Sequence, residues 1–195
     1  MIADDIAALR RRCGQPVDPD RRGPVLLAPF FEELSLAPVT LPGLTCGRVT
    51  EYLLAKRMAI EPVGEPDAPL AGCLFWVKGD GWAFVNGDSV LSRRRFSAAH
   101  ELGHAVLHRD SMGGFIADVD VSETDMNEAQ REREANRFAA ELLMPAEVCK
   151  AREAELRRDH RSCPRLVLAY RLSSELLVSA EAMRYRLKNL GVGDE

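Results

Sequence analysis

Apolar residues recur every three or four positions in five stretches of the chain, and this spacing predicts amphipathic helices. Pro164 and Ser179 suit the first turn and the N-cap of the last two helices. The predicted helices cover residues 46–59, 95–107, 128–144, 164–176 and 179–190.

Three short apolar runs predict strands at 60–66, 71–77 and 82–86. The sequence Lys-Gly-Asp-Gly at 78–81 is typical of a turn, so the last two strands are predicted to form a hairpin in a small antiparallel sheet. A polar, acidic connection at 109–130 has little periodicity. It is interpreted as a mobile loop over the face of the core on which a functional site would lie.

Prolines set the first 44 residues apart from the rest of the chain. Residues 1–12 are compatible with a short helix, but six prolines between 13 and 44 predict an irregular arm. The segment 24–31 is too apolar for a free linker, and we expect it to pack on the core or on a partner.

Together these elements predict an α+β fold, in which a small antiparallel sheet packs on helices and a small helical module follows. We divide the chain into an irregular arm at 1–44, a core at 45–146 and a C-terminal, helix-turn-helix-like module at 147–195. The basic residues of this module are interpreted as a solvated or protein-docking face rather than a phosphate-binding one, so direct DNA binding is not expected.

The composition narrows the class of protein. A chain of 195 residues with 46% hydrophobic residues can bury a core as one domain. No apolar run reaches the roughly 18 residues that cross a membrane. The N-terminus also lacks the basic residues followed by an apolar run that make a secretory signal, so we expect a cytoplasmic protein.

Five cysteines without a C-x-x-C pair argue against disulfides and thiolate metal sites. The net charge of -4 does not indicate a polyanion binder.

The predicted helix at 95–107 contains the motif His-Glu-x-x-His. Residues four apart share a helix face, so His100 and His104 can hold one metal ion while Glu101 projects beside its bound water. This arrangement is typical of a zinc peptidase. Gly103 costs about 1 kcal/mol of helix propensity relative to Ala, which indicates close packing at that position.

A zinc ion with two histidines and a water still needs one protein ligand. The predicted helix at 128–144 offers two carboxylates, and only Glu132 shares the apolar face with Ala135 and Ala139. Glu134 falls on the opposite side, so Glu132 is predicted as the third ligand.

Two further residues are candidates for supporting the ligands. Asn136 lies one turn beyond Glu132 on the face predicted to be buried, where it can bond an imidazole. His108 continues the row of His100 and His104, and a supporting or core role is favoured over ligation. For the oxyanion donor the sequence leaves four candidates open: His108, His160, Tyr170 and Tyr185.

The motif residues also resemble the ImmA/IrrE family of bacterial metallopeptidases. Three segments carry the resemblance, at 95–108, 132–145 and 178–191. The resemblance covers roughly residues 45 to 191, with Leu177 standing where the family usually has Gly.

This resemblance implies a zincin-like domain and a cytoplasmic protease that uses Zn²⁺. His100, His104 and Glu132 would be the ligands and Glu101 the base. The implied partner is a protein substrate, often a helix-turn-helix repressor that is cut in response to stress or mobile-element signals. The alternative is a zinc-bound sensor that sequesters a repressor without cutting it, in a toxin–antitoxin-like regulatory module. The intact Glu101 favours the enzyme.

Overall fold

The computed structural model describes residues 1–62, 64–77, 80–109, 115–117, 126–160 and 162–194. These residues form eight helices and four strands, and the last four elements are all helices. In chain order the elements are α1 (Ile2–Arg12), α2 (Ala28–Glu33), β1 (Leu36–Leu41), α3 (Cys46–Ala55), β2 (Gly72–Val77), β3 (Asp80–Asn86), α4 (Leu91–Leu107), β4 (Phe115–Ala117), α5 (Met126–Leu143), α6 (Ala146–Asp159), α7 (Arg165–Leu176) and α8 (Ala180–Leu190).

The four strands form one mixed sheet in the order β1-β3-β2-β4. β2 pairs antiparallel with both β3 and β4, so the predicted hairpin partners are confirmed. β1 pairs parallel with β3, with Leu36 opposite Gly81, so the prediction of a purely antiparallel sheet is wrong. The fold is α+β, as predicted.

The sheet separates two apolar clusters because strand side chains alternate between its faces. Leu74 of β2 belongs to the larger cluster, which also contains buried residues of α4, α5, α7 and α8. Cys73 and Phe75 point to the other face, where they pack with Val49 and Leu53 of α3. The larger cluster lies under the helices that carry the predicted metal ligands.

The N-terminal segment is more ordered than its prolines suggest. Irregular structure was predicted for 13–44, and this is wrong for α2 and β1. Pro29 lies in the first turn of α2, where its missing N–H is not needed, and Pro38 lies on the edge strand β1. Phe30 and Phe31 are buried in the larger cluster, which confirms that this apolar segment packs on the core.

Several predicted boundaries differ from the observed ones. Residues 60–62 and 64–66 form no strand, which corrects the prediction for 60–66. Helix α4 begins at Leu91 rather than near 95, and α6 and β4 were not predicted. The following parts of the predicted turn and loop lie outside the described residues: 78, 79, 110–114 and 118–125.

The C-terminal helices follow the predicted pattern. Leu168 and Leu172 of α7 and Met183 and Leu187 of α8 are buried in the larger cluster. The Ser179 hydroxyl accepts the N–H of Ala182 as an N-cap. Leu177 ends α7 with a φ of +53°, the left-handed conformation that favours glycine.

None of the described helices is both long and apolar enough to cross a membrane. All five cysteines are free thiols, as their spacing predicted.

Candidate metal centre

Helix α4 places two imidazoles one turn apart on its buried side. The Nε2 atoms of His100 and His104 lie 2.9 Å from each other. Both side chains are almost fully buried, at 4% and 1% exposure. The predicted pairing of these two residues is therefore present in the fold.

Helix α5 brings a carboxylate to the same point. The Glu132 oxygens lie 3.1 Å from His100 Nε2 and 3.0 Å from His104 Nε2. Close packing of α4 against α5 makes this approach possible: a Cβ on Gly103 would lie only 3.1 Å from the Ala135 Cα and the Phe138 Cβ. The expected close-packing role of Gly103 is thus confirmed.

The three side chains fit a divalent cation. Their ligand atoms all lie within 4.8 Å of one another. Zinc bonds of about 2.0–2.2 Å at tetrahedral angles separate ligand atoms by roughly 3.3–3.6 Å. The separations of 2.9–3.1 Å in the structure therefore need to widen by only a few tenths of an ångström. Two imidazole nitrogens and one carboxylate are also the protein donor set of many catalytic zinc sites.

The charge state of Glu132 suits this role. Burial opposes its ionisation, but hydrogen bonds with His100 and His104 outweigh burial and lower its pKa to about 2. The carboxylate is therefore ionised at neutral pH, as a metal ligand must be.

Glu134, the competing carboxylate on α5, reaches a different residue. One of its oxygens lies 3.6 Å from His108 Nε2, and its side chain is 30% exposed. The structure therefore brings Glu132, and not Glu134, to the histidine pair. Glu132 shares its helix face with Ala135 and Ala139, and both alanines are fully buried. This buried face distinguishes Glu132 from Glu134.

Asn136 makes the contact that its position in the sequence suggested. Its Oδ1 lies 3.2 Å from His100 Nδ1. When Nδ1 carries the proton and donates to this oxygen, the Nε2 lone pair points to the metal position. Asn136 is nevertheless exposed, so the prediction that it is buried is wrong. A contact with a buried ring does not require the amide itself to be buried.

His108 packs beside the ligands, with its ring centroid 5.5 Å from that of His104. Its Nε2 lies 3.3 Å from the Arg131 carbonyl oxygen. Burial, with a smaller contribution from His104, lowers the pKa of His108 and favours its neutral form. The other candidate oxyanion donors, His160, Tyr170 and Tyr185, are exposed side chains on or at the end of α6, α7 and α8.

Glu101 lies on α4 beside His100 and is completely buried. Its carboxylate lies against Gly72, the first residue of β2, between the helix and the sheet. Sequence reasoning did not identify Gly72 as a residue near the site. A glycine at the start of a predicted strand is the only signal that the chain offers there.

Comparison with known protein families agrees with this geometry. The model of the Peptidase M78 family, described as the IrrE N-terminal-like domain, matches residues 83–188, which is more than half of the chain. The chain belongs to the Peptidase M78 family. A search of curated proteins finds no match.

The family assignment confirms the resemblance to ImmA/IrrE proteins and identifies the chain as a metallopeptidase. The matched region includes α4 and α5, so it contains all three residues of the candidate metal site.

Proposed function

We propose that this M78 metallopeptidase is a zinc-dependent endopeptidase that hydrolyses a peptide bond in a protein substrate, a helix-turn-helix transcriptional repressor being the class we favour. The observation that carries the proposal is the convergence of His100, His104 and Glu132, with Glu101 as the next residue on the same helix. A purely structural metal site has no use for that additional carboxylate.

The donor set favours zinc among the divalent metals. Imidazole nitrogens with a single carboxylate suit zinc, whereas magnesium and calcium prefer sites made of oxygen ligands. An ion bound here would polarise the scissile carbonyl and make its bound water more acidic.

Three side chains of this protein would then have separate roles in the reaction. Glu101 accepts the proton of the attacking water and passes it to the leaving amine. Asn136 holds the His100 ring in the orientation that the ligand needs, through the 3.2 Å contact with Nδ1. Glu132 supplies the negative charge that two neutral imidazoles lack.

The repressor as substrate, the cytoplasmic location and a role in stress-responsive transcription rest on the resemblance to ImmA/IrrE proteins. The experiment that tests the substrate incubates the purified, zinc-loaded protein with the product of its neighbouring repressor gene. Cleavage that a chelator abolishes and added Zn²⁺ restores is the expected result.

A Glu101→Gln variant separates catalysis from binding. We expect it to bind zinc as tightly as the wild type and to lose at least 10²-fold in cleavage rate, because general base catalysis contributes about 10²–10⁴-fold. Glu141→Gln, the same exchange made on α5 instead of α4, should retain the activity. Tight binding of the intact repressor by a wild-type protein that never cuts it would support the sensor function instead.

A further inference from the structure

Gly72 occupies an unusual place in the sheet. Along β2, Leu74 and Trp76 pack in the larger cluster beneath the helices, whereas Cys73 and Phe75 point to the opposite face. Since side chains alternate, Gly72 belongs to the helix-facing row, where its neighbours are large and apolar.

The Glu101 carboxylate occupies the space that a side chain at position 72 would fill. A Cβ on Gly72 would lie 2.4 Å from Glu101 Oε1 and 3.2 Å from its Cδ. We propose that Gly72 is a positioning residue for Glu101, because its missing side chain creates the space in which the general-base carboxylate lies. This inference rests on the proposed function, in which Glu101 moves the proton.

The sheet leaves little room for Gly72 itself to shift. It pairs with Val85 of β3, and the same Cβ would lie 3.2 Å from the Phe84 carbonyl oxygen. The Glu101 carboxylate is the end of a side chain with three rotatable bonds, whereas Gly72 is held in a paired strand, so the carboxylate is the softer partner. An added methyl group at position 72 should therefore move the carboxylate and leave the sheet in place.

Gly72→Ala should reduce kcat/KM for the repressor by roughly 10²-fold, the effect of misplacing a reacting group by about 1 Å. Zinc affinity should remain that of the wild type, because the methyl group would be directed at Glu101 and not at the three ligands. Gly81→Ala is the matched control: it adds a methyl group in β3 of the same sheet, 2.5 Å from the tips of Leu36 and Trp76, and should leave kcat/KM within a few-fold of wild type.

A double-mutant cycle distinguishes positioning from ordinary packing. Glu101→Asp withdraws the carboxylate from position 72. In that background, the loss of kcat/KM caused by Gly72→Ala should therefore be at least tenfold smaller than in the wild-type background. A difference of this size lies within the range of coupling energies measured between touching residues. The same loss in both backgrounds would contradict the proposal.

Crystal structures of the zinc-loaded wild type and Gly72→Ala provide a readout that needs no turnover. We expect the Glu101 carboxylate to move by about 1 Å. A carboxylate that stays in place would overturn the positioning role. The comparison can be made even if the protein cleaves no repressor, so failure of this inference and failure of the proposed function are distinguishable. Should Gly72→Ala not fold, recovery of folding in the Gly72→Ala/Glu101→Asp protein supports the proposal, and no recovery contradicts it.

Discussion

Two glutamates on α5 differ in what their carboxylates reach, although only Arg133 separates them in sequence. Glu132 contacts both His100 and His104, whereas Glu134 lies near His108. Replacing Glu132 with Gln removes the anionic ligand, so we expect zinc affinity to fall by more than 100-fold, since loss of an outer partner alone costs about 10–100-fold. Competition with a chromophoric chelator measures this loss.

Glu134→Gln serves as the control for the same charge change on the same helix. Its zinc affinity should stay within about tenfold of wild type, because any effect must act through His108. Equal losses in the two variants would show that net charge, and not ligation by Glu132, governs the affinity.

The residues of the site were predictable to the extent that helix geometry determines them. Spacing alone places His100 and His104 on one face, and the apolar face of α5 selects Glu132. The exposure of Asn136 and the contact between Glu101 and Gly72 depend on how separate elements pack. Periodicity within one element contains no information about such contacts.

At the scale of elements, the candidate metal site depends on the distance between α4 and α5. Gly103 sets that distance, since a Cβ there would meet the backbone of Ala135 at 3.1–3.2 Å. Gly103→Ala should raise the helix propensity by about 1 kcal/mol. Overpacking costs about 1–3 kcal/mol and moves Glu132 away from the histidines, so the variant should lose both thermal stability and zinc affinity.

Thermal unfolding of the metal-free protein, followed by circular dichroism, separates the packing effect from the metal effect in Gly103→Ala. A higher melting temperature with unchanged zinc affinity would show that the two helices have room for a methyl group and that Gly103 does not set their spacing.

Helices were predicted better than strands for a physical reason. The apolar stripes of α4, α5, α7 and α8 are local patterns, and each helix is present near its predicted position. A strand exists only where another strand pairs with it. β1 was missed because its partner β3 lies far along the chain, and the apolar run at 60–66 forms no strand in its described residues.

For the whole molecule, a buried arginine ties the N-terminal segment to the C-terminal helices. Arg152 of α6 is 2% exposed and donates to the carbonyl oxygens of Pro19 and Arg21. It also pairs with Glu175 of α7 at 3.0 Å. Arg152→Ala removes the donor to both carbonyl oxygens and the closer cationic partner of Glu175, so it should destabilise the fold by about 3–5 kcal/mol in urea unfolding.

Arg22→Ala is the control for Arg152, because Arg22 pairs with Glu155 and also approaches Glu175, but is 57% exposed. Exposed pairs contribute about 0–1 kcal/mol, so this variant should remain close to wild type. A similar small loss in Arg152→Ala would mean that water replaces its partners and that the N-terminal segment is held by its apolar residues instead.

The metal should stabilise the whole fold, because its ligands come from two helices that the predicted loop at 109–130 separates in sequence. Free zinc at 100 times its dissociation constant adds about 2.7 kcal/mol of stability if it binds only the folded state. For a chain of this length, each kcal/mol changes the melting temperature by about 2–4 °C, so a chelator should lower it by about 5–11 °C.

Glu132→Gln should melt at nearly the same temperature with and without the chelator, because it has little bound metal to lose. A wild-type melting temperature that does not respond to the chelator would mean that zinc does not bind the folded state in preference to the unfolded one, and this would contradict a zinc site made by His100, His104 and Glu132.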